Sequence, residues 1–273
     1  MRFAKGHGTE NDFVVVPDAD GELDLDARQV AALTDRRRGI GGDGVLRVVR
    51  TAHVTEPSED AEWFMDYRNA DGSIAEMCGN GVRVFAQYLR EEGLADDGPL
   101  AIGTRGGTKI ATFEDDGTIT VDMGPPERLG DSSTVLGDRS LRGIAVSMGN
   151  PHLALDLAGT GLELNELDLS TEPSYDRPFF PYGVNQEFYV DADPLPDADL
   201  HVRMRVHERG VGETRSCGTG ICAVAVAALA RSGLNEGSVV VDVPGGRLRT
   251  DVRSDRVLLR GPAVIVARGE VDL

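Results

Sequence analysis

The tetrapeptide Cys-Gly-x-Gly occurs twice in this chain, as Cys78-Gly79-Asn80-Gly81 and as Cys217-Gly218-Thr219-Gly220, with the copies 139 residues apart. Each copy opens an apolar run of helical length, so each cysteine stands at a helix start. The chemistry open to such a pair is proton transfer at carbon. A thiolate removes a proton and a thiol supplies one. A free cysteine pKa of about 8.5 falls at a helix N-terminus toward the range useful for acid–base work. Two thiols serving opposite faces of one stereocentre would invert it. Gly79, Gly81, Gly218 and Gly220 let the backbone approach a ligand closely. The N–H groups of a helix start can grip a carboxylate and hold the charge that develops when its α-proton leaves. Such a site needs neither metal nor pyridoxal, and no cofactor is expected.

The same offset carries Asn11 onto Asn150 and Asn69 onto Glu208. One offset linking several polar positions points to a duplicated fold with one cysteine per half. A lone cysteine near a helix start is usually a small buried hydrophobe, and Cys222, unmatched in the first half, is read that way. His7, His53, His201 and His207 receive no role. His152, in Gly149-Asn150-Pro151-His152, either caps a turn or serves the site. Glu208-Arg209 beside Gly210 would by itself be a surface ion pair, and the match to Asn69 lifts Glu208 above that.

The elements that must position these residues repeat in order. In the first half, strands at residues 2–5 and 12–16 flank a Gly-rich turn, and a helix is expected over Leu25–Arg38. Strands at 45–49 and 62–67 follow, then the turn Asn69-Ala70-Asp71-Gly72. The Cys78 helix runs to about Glu92, and a hairpin at 109–113 and 118–123 closes the half. Gly124-Pro125-Pro126 breaks the pattern and marks the boundary between a half at 1–123 and a half at 124–261. The second half repeats the series with strands at 143–147, 153–157, 187–190 and 201–207 and a Cys217 helix to about Ser232. Strand-like segments at 257–259 and 264–267 end the chain, and Pro262 suggests that residues 262–273 return to the first half. Both cysteine helices are apolar nearly all round, and a helix without a polar face is surrounded by protein. The fold expected is mixed α/β: two pseudo-symmetric duplicated domains, each a curved, largely antiparallel sheet wrapped round a buried helix. Both helix starts are expected to face the cleft between the halves.

Composition narrows the setting. The 273 residues are 40% hydrophobic, enough for two cores, and the formal net charge is −18, with 46 acidic against 28 basic residues. Lys5 and Lys109 are the only lysines. This acidity argues against nucleic acid or anionic membranes as partners, and its combination with few lysines resembles proteins of salt-loving organisms. The opening residues lack an apolar signal core, and the longest apolar run, residues 221–230, is about half a bilayer span. Three cysteines form neither a disulfide framework nor a CxxC metal pattern. A soluble cytoplasmic protein is expected.

The segments taken together resemble the diaminopimelate epimerase family. They are Gly6-His7-Gly8 with Asn11-Asp12-Phe13, Arg38-Gly39-Ile40-Gly41, and Asn69-Ala70-Asp71-Gly72-Ser73 before Glu76-Met77-Cys78-Gly79-Asn80-Gly81. In the second half they are Gly149-Asn150-Pro151-His152, Gly183-Val184-Asn185, Glu208-Arg209-Gly210-Val211-Gly212-Glu213-Thr214 and Cys217-Gly218-Thr219-Gly220. The resemblance implies a cofactor-independent isomerase of lysine biosynthesis that interconverts LL- and meso-2,6-diaminopimelate, with Cys78 and Cys217 as acid and base. It implies that Gly79-Asn80 and Gly218-Thr219 bind the carboxylate at the reacting centre. Asn11, Asn69, Asn150, Asn185, Glu208 and Arg209 would hold the rest of the substrate, and His152 and Glu208 would tune the thiols. Three positions depart from the family pattern. Glu10 replaces a common glycine, and Asp43-Gly44 stands where some members carry a substrate-touching glutamine. Ala267 stands near a tyrosine of the family's dimer contact, which leaves a homodimer in doubt. Two other readings stay open: a proline racemase-like two-cysteine epimerase, and a thiol redox protein whose two cysteines form a disulfide.

Overall fold

A computed structural model of the chain describes residues 1–56, 60–96 and 98–272. Its contacts divide the chain into two compact units, Met1–Asp122 with Gly261–Leu273, and Met123–Arg260. Leu273, the end of the stretch expected to return to the first half, lies outside the described residues.

The first unit contains β1 (Arg2–Gly8), β2 (Asn11–Pro17), α1 (Ala27–Thr34), β3 (Gly44–Arg50), β4 (Trp63–Asn69), α2 (Gly79–Glu91), β5 (Leu100–Gly103), β6 (Lys109–Phe113) and β7 (Ile119–Asp122). From the end of the chain it takes β18 (Val264–Glu270). The strands pair in the order β18-β1-β2-β3-β4-β5-β6-β7, parallel at β2·β3 and β4·β5 and antiparallel elsewhere. The runs Phe13–Val16 and Trp63–Tyr67 are buried residue after residue, the signature of strands covered on both faces. α2 buries ten of its 13 residues, including Arg83. α1 closes a smaller core of Val14, Val16, Leu25, Val30, Leu33 and Val45.

The second unit contains β8 (Glu127–Leu136), β9 (Arg139–Ser147), β10 (Pro151–Asp156), β11 (Ser174–Tyr175), β12 (Asn185–Asp191), β13 (Leu200–Glu208), β14 (Gly212–Thr214), α3 (Gly218–Arg231), β15 (Gly237–Val243), β16 (Gly246–Val252) and β17 (Val257–Gly261). Its principal order is β8-β9-β10-β12-β13-β15-β16-β17, again parallel at the third and fifth pairings and antiparallel elsewhere. β14 folds back on β13, and β11 pairs with β8. α3 buries twelve of its 14 residues. Strand for strand the pairing pattern is that of the first unit, which is the duplicated α/β fold expected from the repeated motif.

Several elements differ from expectation. The helix expected over Leu25–Arg38 is only α1. Asp26 caps it with a capping box, and the Asp35 carboxylate then accepts the N–H groups of Arg37 and Arg38, at 2.8 and 2.9 Å, and pulls the chain into a turn. Six strands lie outside those expected, although Val-rich β15 carried a legible signal. β5, β15 and β16 follow the cysteine helices, β11 and β14 are two or three residues long, and β8 is a polar edge strand exposed along most of its length. At the β1–β2 turn Thr9 and Glu10 have φ of +51° and +61°. Glu10 thus occupies a left-handed conformation that suits the glycine common at this place. Ala267 lies exposed on β18, opposite Lys5 of β1.

Gly44 has a steric reason of its own. It faces Asn69 across the β3·β4 pair, and a Cβ there would meet the Arg68 carbonyl oxygen at 2.4 Å and Tyr67 Cε2 at 2.7 Å. No side chain fits without moving backbone. Gly44→Ala is therefore expected to lower the unfolding free energy by about 1–3 kcal/mol in urea denaturation, and an unchanged midpoint would contradict the fit.

Candidate active site

In the first unit the site is assembled at the start of α2. Cys78 is its N-cap and is partly exposed; Gly81 donates its N–H to Sγ at 3.4 Å. Asn11, the first residue of β2, brings its Oδ1 to Cys78 Sγ at 3.5 Å and accepts Asn80 Nδ2 at 3.2 Å. Asn80 is held from behind by the buried guanidinium of Arg83, which donates to Asn80 Oδ1 at 2.8 Å and to the Pro262 carbonyl at 3.2 Å.

The orientation of Asn11 depends on Asp43. Asn11 Nδ2 donates to Asp43 Oδ2 at 2.7 Å, which leaves Oδ1 for the thiol. Asp43 in turn receives Arg36 at 2.8 Å, and Arg36 and Lys5 both donate to Asp12, at 2.6 and 2.5 Å. Burial alone would raise the Asp12 pKa, but Arg36 and Lys5 together hold it well below the usual carboxylate range. The residue beside the missing glutamine is thus spent on fixing Asn11. Asn69, at the end of β4, donates Nδ2 to Ser73 Oγ at 3.0 Å and closes its own turn.

In the second unit Cys217 is the N-cap of α3 and is only 6% exposed. Thr219 Oγ1 lies 3.6 Å from its sulfur, and Asn150 Nδ2 donates to Thr219 Oγ1 at 3.5 Å. Glu208, at the end of β13, accepts a short hydrogen bond from the Thr214 hydroxyl. Burial pushes the Cys217 thiol well above its ordinary pKa, and the Glu208 and Glu187 carboxylates add to the effect; hydrogen bonds from Thr219 and the Gly220 N–H oppose it. Burial also raises Glu208, partly offset by hydrogen bonds with Thr214 and Cys217.

His152, wholly buried, sits between Glu187 and Asn150, with Nδ1 2.6 Å from Glu187 Oε1 and Nε2 3.1 Å from Asn150 Oδ1. It caps no turn. Asn185 donates Nδ2 to the Pro151 carbonyl at 3.2 Å and accepts the Arg209 N–H at 2.9 Å. The Arg209 guanidinium donates to the Tyr182 carbonyl at 3.0 Å, and its stem crosses Gly183. At Gly183, where φ is +88°, a Cβ would lie 2.6 Å from Arg209 Cδ.

The structure therefore groups Asn11, Cys78, Gly79 and Asn80 in one unit. In the other it groups Asn150, His152, Cys217, Gly218 and Thr219, with Glu208 beside the thiol and Asn185 holding Arg209. Sequence reasoning missed Asp43 as the support of Asn11, Arg83 as the support of Asn80, and Glu187 and Thr214 as partners of His152 and Glu208. Arg83 alone left a trace, as the charge between Val82 and Leu89 in α2.

The family described as Diaminopimelate epimerase matches residues 3–129 and 144–272. Among curated relatives, the chain is 53% identical to a diaminopimelate epimerase of Thermobifida fusca, over 100% of this chain and 98% of that protein. It is 52% identical to one of Streptomyces coelicolor, over 100% of this chain and 96% of that protein. Among solved structures it is similar to a PhzF-family phenazine biosynthesis protein of Bacillus anthracis, with a TM-score of 0.70 and 17% identity over 100% and 99% of the two chains. A hydroxyproline epimerase of Agrobacterium vitis matches with a TM-score of 0.66 and 16% identity over 98% and 91%. At those identities the solved structures speak to the fold alone.

The two thiols differ in exposure and in surroundings, and that difference is measurable. At pH 7 iodoacetamide is expected to modify Cys78 well before Cys217, with Cys217 catching up as pH rises and its thiolate forms. Peptide mass spectrometry of a time course checks this, and modification of Cys217 first would contradict it.

Proposed function

The chain belongs to the diaminopimelate epimerase family, and from that premise we propose that it interconverts LL- and meso-2,6-diaminopimelate by two-base proton transfer. The observation that carries the reading is the pair of duplicated helix starts, each with a cysteine as its N-cap. Cys78 and Cys217 are the two bases: one thiolate takes the α-proton, the other thiol delivers a proton to the opposite face, and the roles exchange in reverse. The N–H groups of Gly79-Asn80 and Gly218-Thr219 bind the carboxylate of the reacting centre and stabilise the charge that forms on it. Asn11, Asn69, Asn150, Asn185, Glu208 and Arg209 bind the amines and the distal carboxylate, the bidentate reach of a guanidinium suiting Arg209 to the latter. Glu208 and His152 set the protonation of the Cys217 side.

Two features support a substrate with two polar ends over proline. Arg209 is braced on both sides, at its N–H by Asn185 and at its guanidinium by the Tyr182 carbonyl. The family's close relatives at about half identity carry the diaminopimelate name. The proposed chemistry needs Cys78 and Cys217 as thiols rather than as a disulfide, which suits a reducing compartment such as the cytoplasm.

Incubation with LL-diaminopimelate under reductant is expected to yield the meso isomer on chiral chromatography. Cys78→Ala and Cys217→Ala should each reduce turnover by 10³-fold or more, on the order of 4 kcal/mol of barrier. Substantial turnover by either variant contradicts the two-base assignment, and conversion of proline but not diaminopimelate moves the substrate. Gly183→Ala, which displaces the Arg209 stem, should raise KM about tenfold while kcat changes little; an unchanged KM would remove Arg209 from substrate binding.

A further inference from the structure

We propose that Glu187 is a positioning residue for Cys217, acting through His152, Asn150 and Thr219 to turn the Thr219 hydroxyl toward the sulfur. The inference rests on the reading of Cys217 as a catalytic thiol.

With the Asn150 amide oriented as it stands, Oδ1 toward the His152 ring, one arrangement of protons satisfies each partner along this path. His152 stands between two oxygens, Glu187 Oε1 at 2.6 Å and Asn150 Oδ1 at 3.1 Å. An amide oxygen only accepts, so Nε2 must carry a proton. A second proton must then lie between Nδ1 and the Glu187 carboxyl, and the pair as a whole is neutral. With Oδ1 engaged by the ring, the Asn150 amide is fixed with Nδ2 toward Thr219 Oγ1, at 3.5 Å. That hydroxyl accepts from the amide and keeps its own proton for Cys217 Sγ, 3.6 Å away. A hydroxyl donating to sulfur favours thiolate over thiol.

The first unit shows what this place holds when packing alone decides. Phe13 stands 139 residues before His152. In the parallel pairs Val15↔Leu46 and Ala154↔Glu187, Leu46 takes the register position of Glu187. A Cβ on Gly81 would meet Leu46 Cδ2 at 3.3 Å and Phe13 Cζ at 3.6 Å, whereas one on Gly220 would meet Glu187 Oε1 at 2.7 Å. The carboxylate is fitted against the second glycine of α3, and Gly220 must be glycine to admit it. Glu187 Oε2 is buried without a hydrogen-bond partner among the described residues, a cost that a leucine here would avoid. The titratable groups facing Cys217 are Glu208 from β13, Glu187 from β12 and, through Glu187 and Asn150, His152 from β10.

The test reads the thiolate directly, in the full chain with Cys217 as its only cysteine (Cys78→Ala, Cys222→Ala). The rate of modification by methyl methanethiosulfonate is followed against pH by intact mass. Glu187→Met frees Nδ1 and lets the ring tautomer change, and at fixed pH should slow modification about tenfold, an upward shift of about one pH unit. Glu187→Gln should stay within about twofold of the parent, because its amide can donate to Nδ1 and leave the proton on Nε2. Any other pattern overturns the proposal: both variants faster (the result if Glu187 were only a nearby negative charge), both unchanged, or glutamine as slow as methionine. Where Glu187→Met does not fold, Thr219→Val breaks the last link instead and must give the same slowing. The assay needs no turnover, so its outcome stands apart from the test for epimerase activity.

Discussion

α2 and α3 bury ten of 13 and twelve of 14 residues, and helices so enclosed require protein on nearly every side from the strands of their units. This holds although α2 carries polar Asn80, Arg83, Gln87, Arg90 and Glu91 where an apolar helix was expected. The strands answer by covering the helix flanks, which is why Phe13–Val16 and Trp63–Tyr67 read as continuous buried runs rather than as alternating ones. Burial of the flanks leaves the helix start as the place where backbone N–H groups await partners from outside the helix. A cysteine as N-cap, followed by glycines, keeps side-chain bulk away from those groups. The fold and the chemistry thus share one cause: the buried helix needs its unit, and its start offers the donors.

The duplication copies this arrangement and then diverges behind it. In the first unit the thiol meets the oxygen of an amide that Asp43 orients, with Arg36, Lys5 and Asp12 forming a charged brace behind it. In the second unit the thiol is buried beside Glu208, and the space behind α3 holds His152 and Glu187 where the first unit has Phe13 and Leu46. One copy keeps its charges in a part-buried brace. The other places ionisable groups in a dry interior, where each must be paired or neutral. The two thiols thus meet unlike surroundings, Cys217 buried and pushed up by burial and neighbouring carboxylates, Cys78 partly exposed beside an amide oxygen.

Most of this was legible from residue types and spacing, because buried helices and Val-rich strands announce themselves locally. The repeated offset disclosed the duplicated fold directly. What escaped has physical reasons. β8 is an edge strand exposed along most of its length, so no alternation of apolar residues marks it. The end of the helix after Ala27 is set by the Asp35 side chain, which pattern alone does not weigh against helix-forming arginines. Glu187 looks like any polar residue near a strand end, since its partner His152 is 35 residues away and meets it only through the parallel β10·β12 pairing. Gly44 looked like a lost contact, whereas its space is taken by Tyr67 and the Arg68 carbonyl.

The central claim is that each thiol serves one face of the carbon, and the isotope content of the first product tests it most directly. With protiated LL-diaminopimelate in D2O at low conversion, two bases require that the meso product carry solvent deuterium at the inverted carbon, because its new proton comes from a thiol already exchanged with solvent. The unreacted LL pool should remain largely protiated at that stage. Meso product that retains the substrate's own proton would mean that a single group removes and returns it, and would contradict the account.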